Sequence, residues 1–210
     1  MSHIAVGCDD EHPMSPIPAA AFDSQQNALA FDGGVLLGGA SRRYGRDKAL
    51  AHHDGQAMGE RMIDILLGSG AARVITVGGP DRGFPVPHVP DRYPGQGPLG
   101  GLISALGACQ SDLLVVLACD LPNLTPATVV KLVATAVQNP GYGAVGAFTD
   151  RKEPLCACYR VSLASTPARA SFDQGIRSLT TFLDTIKILW VVLPDPGELR
   201  NVNTPEDHLT

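Results

Sequence analysis

Gly34-Val-Leu-Leu-Gly-Gly-Ala-Ser-Arg-Arg-Tyr-Gly-Arg-Asp-Lys48 decides how the rest of the chain is read. Val35 to Leu37 is a short apolar run that predicts a buried strand, and Gly38 and Gly39 come directly after it. Paired glycines at a strand end let backbone N–H groups approach a ligand with no side chain in the way. N–H groups presented in this manner attract anions, phosphates above all. Arg42, Arg43, Arg46 and Lys48 gather positive charge into the same few residues, in a chain whose formal net charge is -5. Neither standard glycine motif fits. Gly39 and Gly45 are separated by five residues where a Walker loop needs four, and Lys48 is not followed by Ser or Thr. The dinucleotide pattern G-x-G-x-x-G is also absent. The plainer alternative is a tight strand-to-loop turn with a solvated basic face, and it leaves the clustering of cations unexplained.

Downstream, Met58, Met62, Ile65 and Leu66 recur at helical spacing, which predicts a helix from Gln56 to Leu67 closed by Gly68 and Gly70. Arg73 to Val77 reads as a second strand stopped by Gly78-Gly79-Pro80. Strand, loop, helix and strand make a parallel crossover. Val86 to Val89 reads as a short edge strand. After it comes Asp91-Arg-Tyr-Pro-Gly-Gln-Gly-Pro-Leu-Gly-Gly-Leu102, a glycine-rich loop in which Pro98 suits the first turn of a helix. The glycine density predicts a loop that closes over a ligand.

Leu113 to Cys119 is apolar throughout, the pattern of a central strand covered on both faces. It ends at Asp120. A carboxylate just past the C-terminal end of a buried parallel strand stands where open α/β sheets bind their ligands. Mg2+ takes one or two carboxylates together with phosphate oxygens and water, so Asp120 is the candidate metal ligand. The alternative for Asp120 is a helix cap, but Thr125 before Pro126 is the better cap for a helix running to about Val137. Ala144 to Phe148, Cys156 to Val161 and Ile186 to Leu193 read as further strands, and Arg177 to Asp184 as a short helix. Thr204 before Pro205 predicts a last capped helix. The expected fold class is α/β: a three-layer, Rossmann-like fold with a mostly parallel sheet.

Ordered patches between about residues 33 and 209 resemble one family. The glycine loop is similar to L-x-G-G-x-S-x-R-M-G-x-D-K of the nucleotidyltransferases that activate molybdopterin, with Tyr44 in place of Met. Asp91 with Pro-Gly-Gln-Gly-Pro-Leu, Cys119-Asp-Leu-Pro122 and Asn201-Val-Asn-Thr-Pro-Glu-Asp207 resemble its later motifs, and Pro154-Leu155 before a strand resembles another. The resemblance is strongest to the molybdenum cofactor guanylyltransferases. It implies transfer of GMP from GTP to molybdenum-bound molybdopterin, with release of pyrophosphate. Backbone N–H groups of Leu36, Leu37, Gly38 and Gly39 would hold the nucleotide, and Arg43 and Lys48 would neutralise its phosphates. Asp120 would hold Mg2+, and Asp91 would contact the nucleotide or its metal. Many members carry Asn just after the second strand, where it touches the base; Val77-Gly78-Gly79 stands there in this chain. The alternatives are a cytidylyltransferase acting on the same pterin, a sugar or isoprenoid nucleotidyltransferase, and a non-catalytic nucleotide-binding partner of a molybdoenzyme. Transient contact with molybdopterin-loading proteins or molybdoenzymes is also expected.

Length and composition fit this picture. The chain has 210 residues, 44% hydrophobic and 18% charged, enough for one domain with a substantial core. Its acidic balance argues against a general nucleic-acid binder, and no apolar run approaches the ~20 residues of a membrane span. Cys8, Cys109, Cys119, Cys156 and Cys158 include no C-x-x-C pair and read as reduced thiols in a cytoplasmic protein. Zinc binding is the sharper alternative for them. His52-His53 reads as an exposed loop. Residues 1–31 hold Pro13, Pro16 and Pro18 and no periodic apolar pattern, so a disordered or loosely packed tail is expected before a domain spanning 32–210.

Overall fold

The structure is a computed structural model that describes residues 4–7 and 15–17 as backbone, and residues 30–38 and 47–201 in full. Its strands are β1 (Ile4–Gly7), β2 (Ser15–Ile17), β3 (Phe31–Leu36), β4 (His52–His53), β5 (Gln56–Ala57), β6 (Arg73–Val77), β7 (His88–Val89), β8 (Leu113–Ala118), β9 (Ala144–Phe148), β10 (Lys152–Arg160) and β11 (Ile188–Val192). The helices are α1 (Met58–Gly68), α2 (Pro98–Ala108), α3 (Pro126–Gln138), α4 (Val161–Asp173) and α5 (Leu179–Leu183). The main sheet has the order β2-β1-β11-β9-β10-β8-β3-β6-β7. From β7 to β11 its strands run parallel, except for β10, which returns antiparallel between β8 and β9. The α/β class and the mostly parallel sheet read from the sequence are present.

β8 explains why its run has no polar alternation. Val115 and Leu117 point into an apolar cluster with Met62, Leu66, Val129 and Leu132 of α1 and α3. Leu114 and Val116 point to the other face, among Leu99, Leu102, Ala168 and Phe172 of α2 and α4. All six β8 residues are buried, so each position needs an apolar side chain. This makes three layers, with α1 and α3 on one side and α2, α4 and α5 on the other.

β3 begins four residues earlier than the apolar run suggested, because its first half is held by other means. Phe31 is buried in the core, and the Asp32 carboxylate, only 2% exposed, accepts from Gln110 N at 2.7 Å and Ser111 Oγ at 2.8 Å. Gly33 is required for close approach: a Cβ there would lie 2.8 Å from Leu66 Cδ1 of α1. Asp32→Ala would remove a buried carboxylate and the acceptor of two part-buried donors, at a cost of roughly 2–3 kcal/mol. Thermal denaturation should register a drop of roughly 4–12 °C; a change under about 2 °C would show that Asp32 is not the fastening.

Several boundaries differ from the sequence reading. Within residues 1–31, β1 lies antiparallel to β11 and β2 antiparallel to β1. Pro16 sits on the edge strand opposite Ala5, where its missing N–H is tolerated. The tail boundary at residue 31 also cuts into β3. The His52-His53 segment is not a plain loop but half of a two-strand hairpin, turned by Asp54 (φ 51°) and Gly55 (φ 82°). α4 is absent from the sequence reading. Thr125 does occupy the N-cap position of α3, but its hydroxyl makes no capping bond and donates instead to Glu198 Oε2 at 3.1 Å. The expected helix after Thr204 lies outside the described residues.

Candidate active site

The C-terminal ends of β3, β6 and β8 share one edge of the sheet, since Leu36 lies opposite both Val77 and Ala118. The segments leaving these three strands therefore converge. Gly38 comes after β3, Gly78 and Gly79 after β6, and Asp120 after β8. Gly78 (φ 84°) and Gly79 (φ 65°) turn the chain back so tightly that a Cβ on Gly78 would lie 3.3 Å from Gly38 N and 3.8 Å from Asp91 Cβ. Gly39 and Arg43 lie outside the described residues.

Lys48 opens a short 3-10 turn, Lys48–Leu50, capped by Asp47, whose Oδ1 accepts from Ala49 N at 3.1 Å. From there Lys48 Nζ reaches Asp120 Oδ2 at 2.9 Å, and both side chains are about four-fifths buried (17% and 20% exposed). Lys48 is thus not the exposed cation that its polar context suggested. Asn201 Nδ2 donates to the same Oδ2 at 3.2 Å. Arg151 donates to Asn201 Oδ1 and to the Leu199 carbonyl, and lies 3.5 Å from Glu153 Oε2. Burial, helped by the nearby Asp120 charge, pushes the Glu153 carboxyl above its ordinary value. A cleft of about 440 Å³ opens beside this group, with Arg151, Arg200 and Asn201 in its wall.

The structure brings Lys48 and Asp120 together, but Leu36 and Leu37 take other duties. Leu36 buries its side chain against Gly101 of α2. The Leu37 N–H, expected to face a nucleotide, donates to Val77 O at 2.8 Å and belongs to the sheet. Among the described residues, the Gly38 N–H has no protein acceptor. Asp91 is bound into its own loop: Oδ1 accepts from Tyr93 N at 2.9 Å and from Ser104 Oγ at 3.2 Å. The neighbouring glycines have packing reasons as well as any ligand reason. Gly95 and Gly97 hold positive φ, and a Cβ on Gly100 would lie 2.9 Å from Tyr93 Cβ.

Asp120 does not cap α3, which begins beyond Thr125. Among the described residues, Lys48 and Asn201 both address Oδ2, which leaves Oδ1 for another partner. No three His, Cys, Asp or Glu residues there could enclose a metal ion. One carboxylate at an open edge fits a cation that keeps most of its positions for water and phosphate oxygens, as Mg2+ does. Among the described residues the cysteines offer nothing comparable: burial pushes the Cys119 and Cys158 thiols up to about 12 and also raises Cys156. No described helix is long and apolar enough to cross a membrane.

Two neighbours of this group escaped the sequence reading: Arg151 and Glu153. Asn201 stood out there only as part of a motif of modest weight. Their roles depend on side chains meeting across the fold, with no local pattern to mark them.

Residues 33–186 match the model of the MobA-like NTP transferase domain. The chain is 35% identical to the probable molybdenum cofactor guanylyltransferase of Opitutus terrae, over 86% of this chain and 94% of that protein. It is 34% identical to the molybdenum cofactor guanylyltransferase of Xanthomonas euvesicatoria, over 83% and 90%. In fold it is similar to the crystal structure of molybdopterin-guanine dinucleotide biosynthesis protein A from Archaeoglobus fulgidus (TM-score 0.69, 23% identity, 85% of this chain and 95% of that one). It is similar in the same sense to a CMP:2-keto-3-deoxy-manno-octonic acid synthetase (TM-score 0.65, 14% identity, 84% and 93%). An identity of about one third over nearly the whole length, together with a sheet edge that gathers Gly38, Lys48 and Asp120, makes this chain a nucleotidyltransferase of the MobA-like NTP transferase family, whose members include the molybdenum cofactor guanylyltransferases.

Proposed function

We propose that the protein transfers GMP from GTP to molybdopterin carrying molybdenum. The observation that carries this reading is the Lys48–Asp120 pair at the sheet edge beside Gly38. An ammonium and a carboxylate held together there give one group for phosphate and one for a cation. The terminal phosphate oxygen of the pterin attacks the α-phosphorus of GTP. A new P–O bond forms as the bond to the bridging α–β oxygen breaks, and pyrophosphate leaves with that electron pair. The nucleophile is already anionic, so no general base is needed. Positioning and charge neutralisation supply the catalysis.

Gly38 and the basic loop after it receive the triphosphate. Lys48 exchanges Asp120 for phosphate oxygens and steadies the charge that grows on the leaving pyrophosphate. Asp120, released from Lys48, would hold Mg2+, with Asn201 orienting the carboxylate. Mg2+ bound there would supply positive charge against the phosphates. Asp91 orders the loop that covers the nucleotide and stands beside Gly78, near the position of the missing Asn.

A nucleotide panel tests the reading. A ligand at about a hundred times its dissociation constant stabilises by roughly 2.7 kcal/mol, and each kcal/mol moves the midpoint of a domain this size by roughly 2–4 °C. GTP with Mg2+ should raise the melting midpoint by roughly 5–10 °C, with CTP and ATP clearly below it. A larger shift with CTP would move the protein to cytidylyl transfer. Binding of GTP without pyrophosphate release, in the presence of molybdopterin and Mg2+, would reduce it to a binding module.

A further inference from the structure

We propose that Arg82 is a positioning residue for phosphate handling: its guanidinium fastens the residue entering the glycine loop to the residue leaving it, and so sets where Lys48 stands. This rests on the reading of Lys48 as a phosphate contact. Arg82 lies in the turn after β6, far in sequence from both points it holds. Its Nη2 donates to Leu37 O at 3.3 Å, at the entry. Its Nε donates to Asp47 Oδ2 at 2.7 Å, at the exit and next to Lys48. Its Nη1 donates to Pro80 O at 2.9 Å and Gly78 O at 3.4 Å, which locks the turn from which it projects.

Four of the five guanidinium N–H groups are engaged in this way, and the side chain is 7% exposed. That burial is too deep for a surface cation, and the charge is balanced by Asp47. The glycines after β6 make room for it. A Cβ on Gly79 would lie 2.9 Å from Arg82 Nη2, so a side chain there would displace the guanidinium. Asp47 passes the constraint on: one carboxylate oxygen takes Arg82, and the other caps the turn that begins with Lys48. Arg82, Asp47, Lys48 and Asp120 thus form one chain of contacts from the β6 turn to the end of β8.

Only a planar fork spans these acceptors. Lysine keeps the charge but offers a single ammonium. Arg82→Lys should therefore lower kcat/KM for GTP by about 10- to 100-fold, the range in which small misplacements act. Because it acts through Lys48, the loss should shrink to less than about twofold when Arg82→Lys is added to Lys48→Ala, since residues in one network are non-additive. Turnover would be followed as pyrophosphate released from GTP with Mg2+ and molybdopterin. Asp47→Asn keeps an acceptor for Ala49 N but removes the charge facing Arg82. It should show the same non-additivity, and it carries the test if Arg82→Lys does not fold. Equal fold-losses in both backgrounds would mean that Arg82 merely stabilises the turn, and would overturn the proposal while leaving Lys48 in place. A Lys48→Ala enzyme with unchanged turnover would instead remove the phosphate reading, and this proposal with it.

Discussion

Asp120→Asn should reduce turnover by more than about a hundredfold and flatten its dependence on Mg2+ concentration, because an amide keeps the shape of the carboxylate but loses the charge a hard cation requires. The structure sharpens the comparison. Asp120 precedes α3 by too many residues to cap it, and its partners among the described residues are Lys48 and Asn201. A structural role would have to act through those two bonds. The pair is about four-fifths buried, so losing the Asp120 charge leaves Lys48 poorly compensated and should cost roughly 1–3 kcal/mol, a shift of about 2–12 °C. The expected result is therefore a lowered but still cooperative melting transition with collapsed activity. Pyrophosphate release close to wild type at every Mg2+ concentration would remove Asp120 from the chemistry.

Lys48→Ala should lower turnover by about a hundredfold or more, the usual size of a lost electrostatic contact to developing charge. The loss should appear in kcat as well as in KM, because the charge that Lys48 meets increases as pyrophosphate departs. Without its ammonium, Asp120 keeps only Asn201 among the described residues, so the unliganded protein should be slightly less stable and not unfolded. Steady-state rates across GTP concentrations decide the matter. A rise in KM with kcat unchanged would restrict Lys48 to ground-state binding.

The core of the fold was legible because its signals are local. β6 and β9 follow from short, mostly apolar runs bounded by turn residues, and α1 from Met58, Met62, Ile65 and Leu66. α4 was not legible. Its buried residues are Ala164, Ala168, Ser171 and Phe172, so only one of the four is a large hydrophobe and no helical apolar pattern stands out. Pro167 inside the helix argued further against it. β10 was read only from Cys156 because its opening, Lys152-Glu-Pro, is polar and precedes a register shift. In the site, Asp120 stood out because a carboxylate ends a wholly apolar strand. Arg82 did not, since nothing near it in sequence shows that a Gly-Gly turn will carry it back against Leu37.

The reversed strand β10 has a consequence for how the chain comes together in time. Its hairpin with β9 sets Lys152 opposite Phe148, so the carboxyl-terminal part of the sheet closes over a very short contour. The seam between β3 and β8 is fastened by Asp32 and Ser111, 79 positions apart. Loop-closure entropy grows as (3/2)RT ln n, which makes that seam costlier to form by roughly 2–3 kcal/mol. Lys48 and Asp120 face each other across it. This pair therefore assembles with the least local contacts of the fold, after the hairpin half has a template to offer.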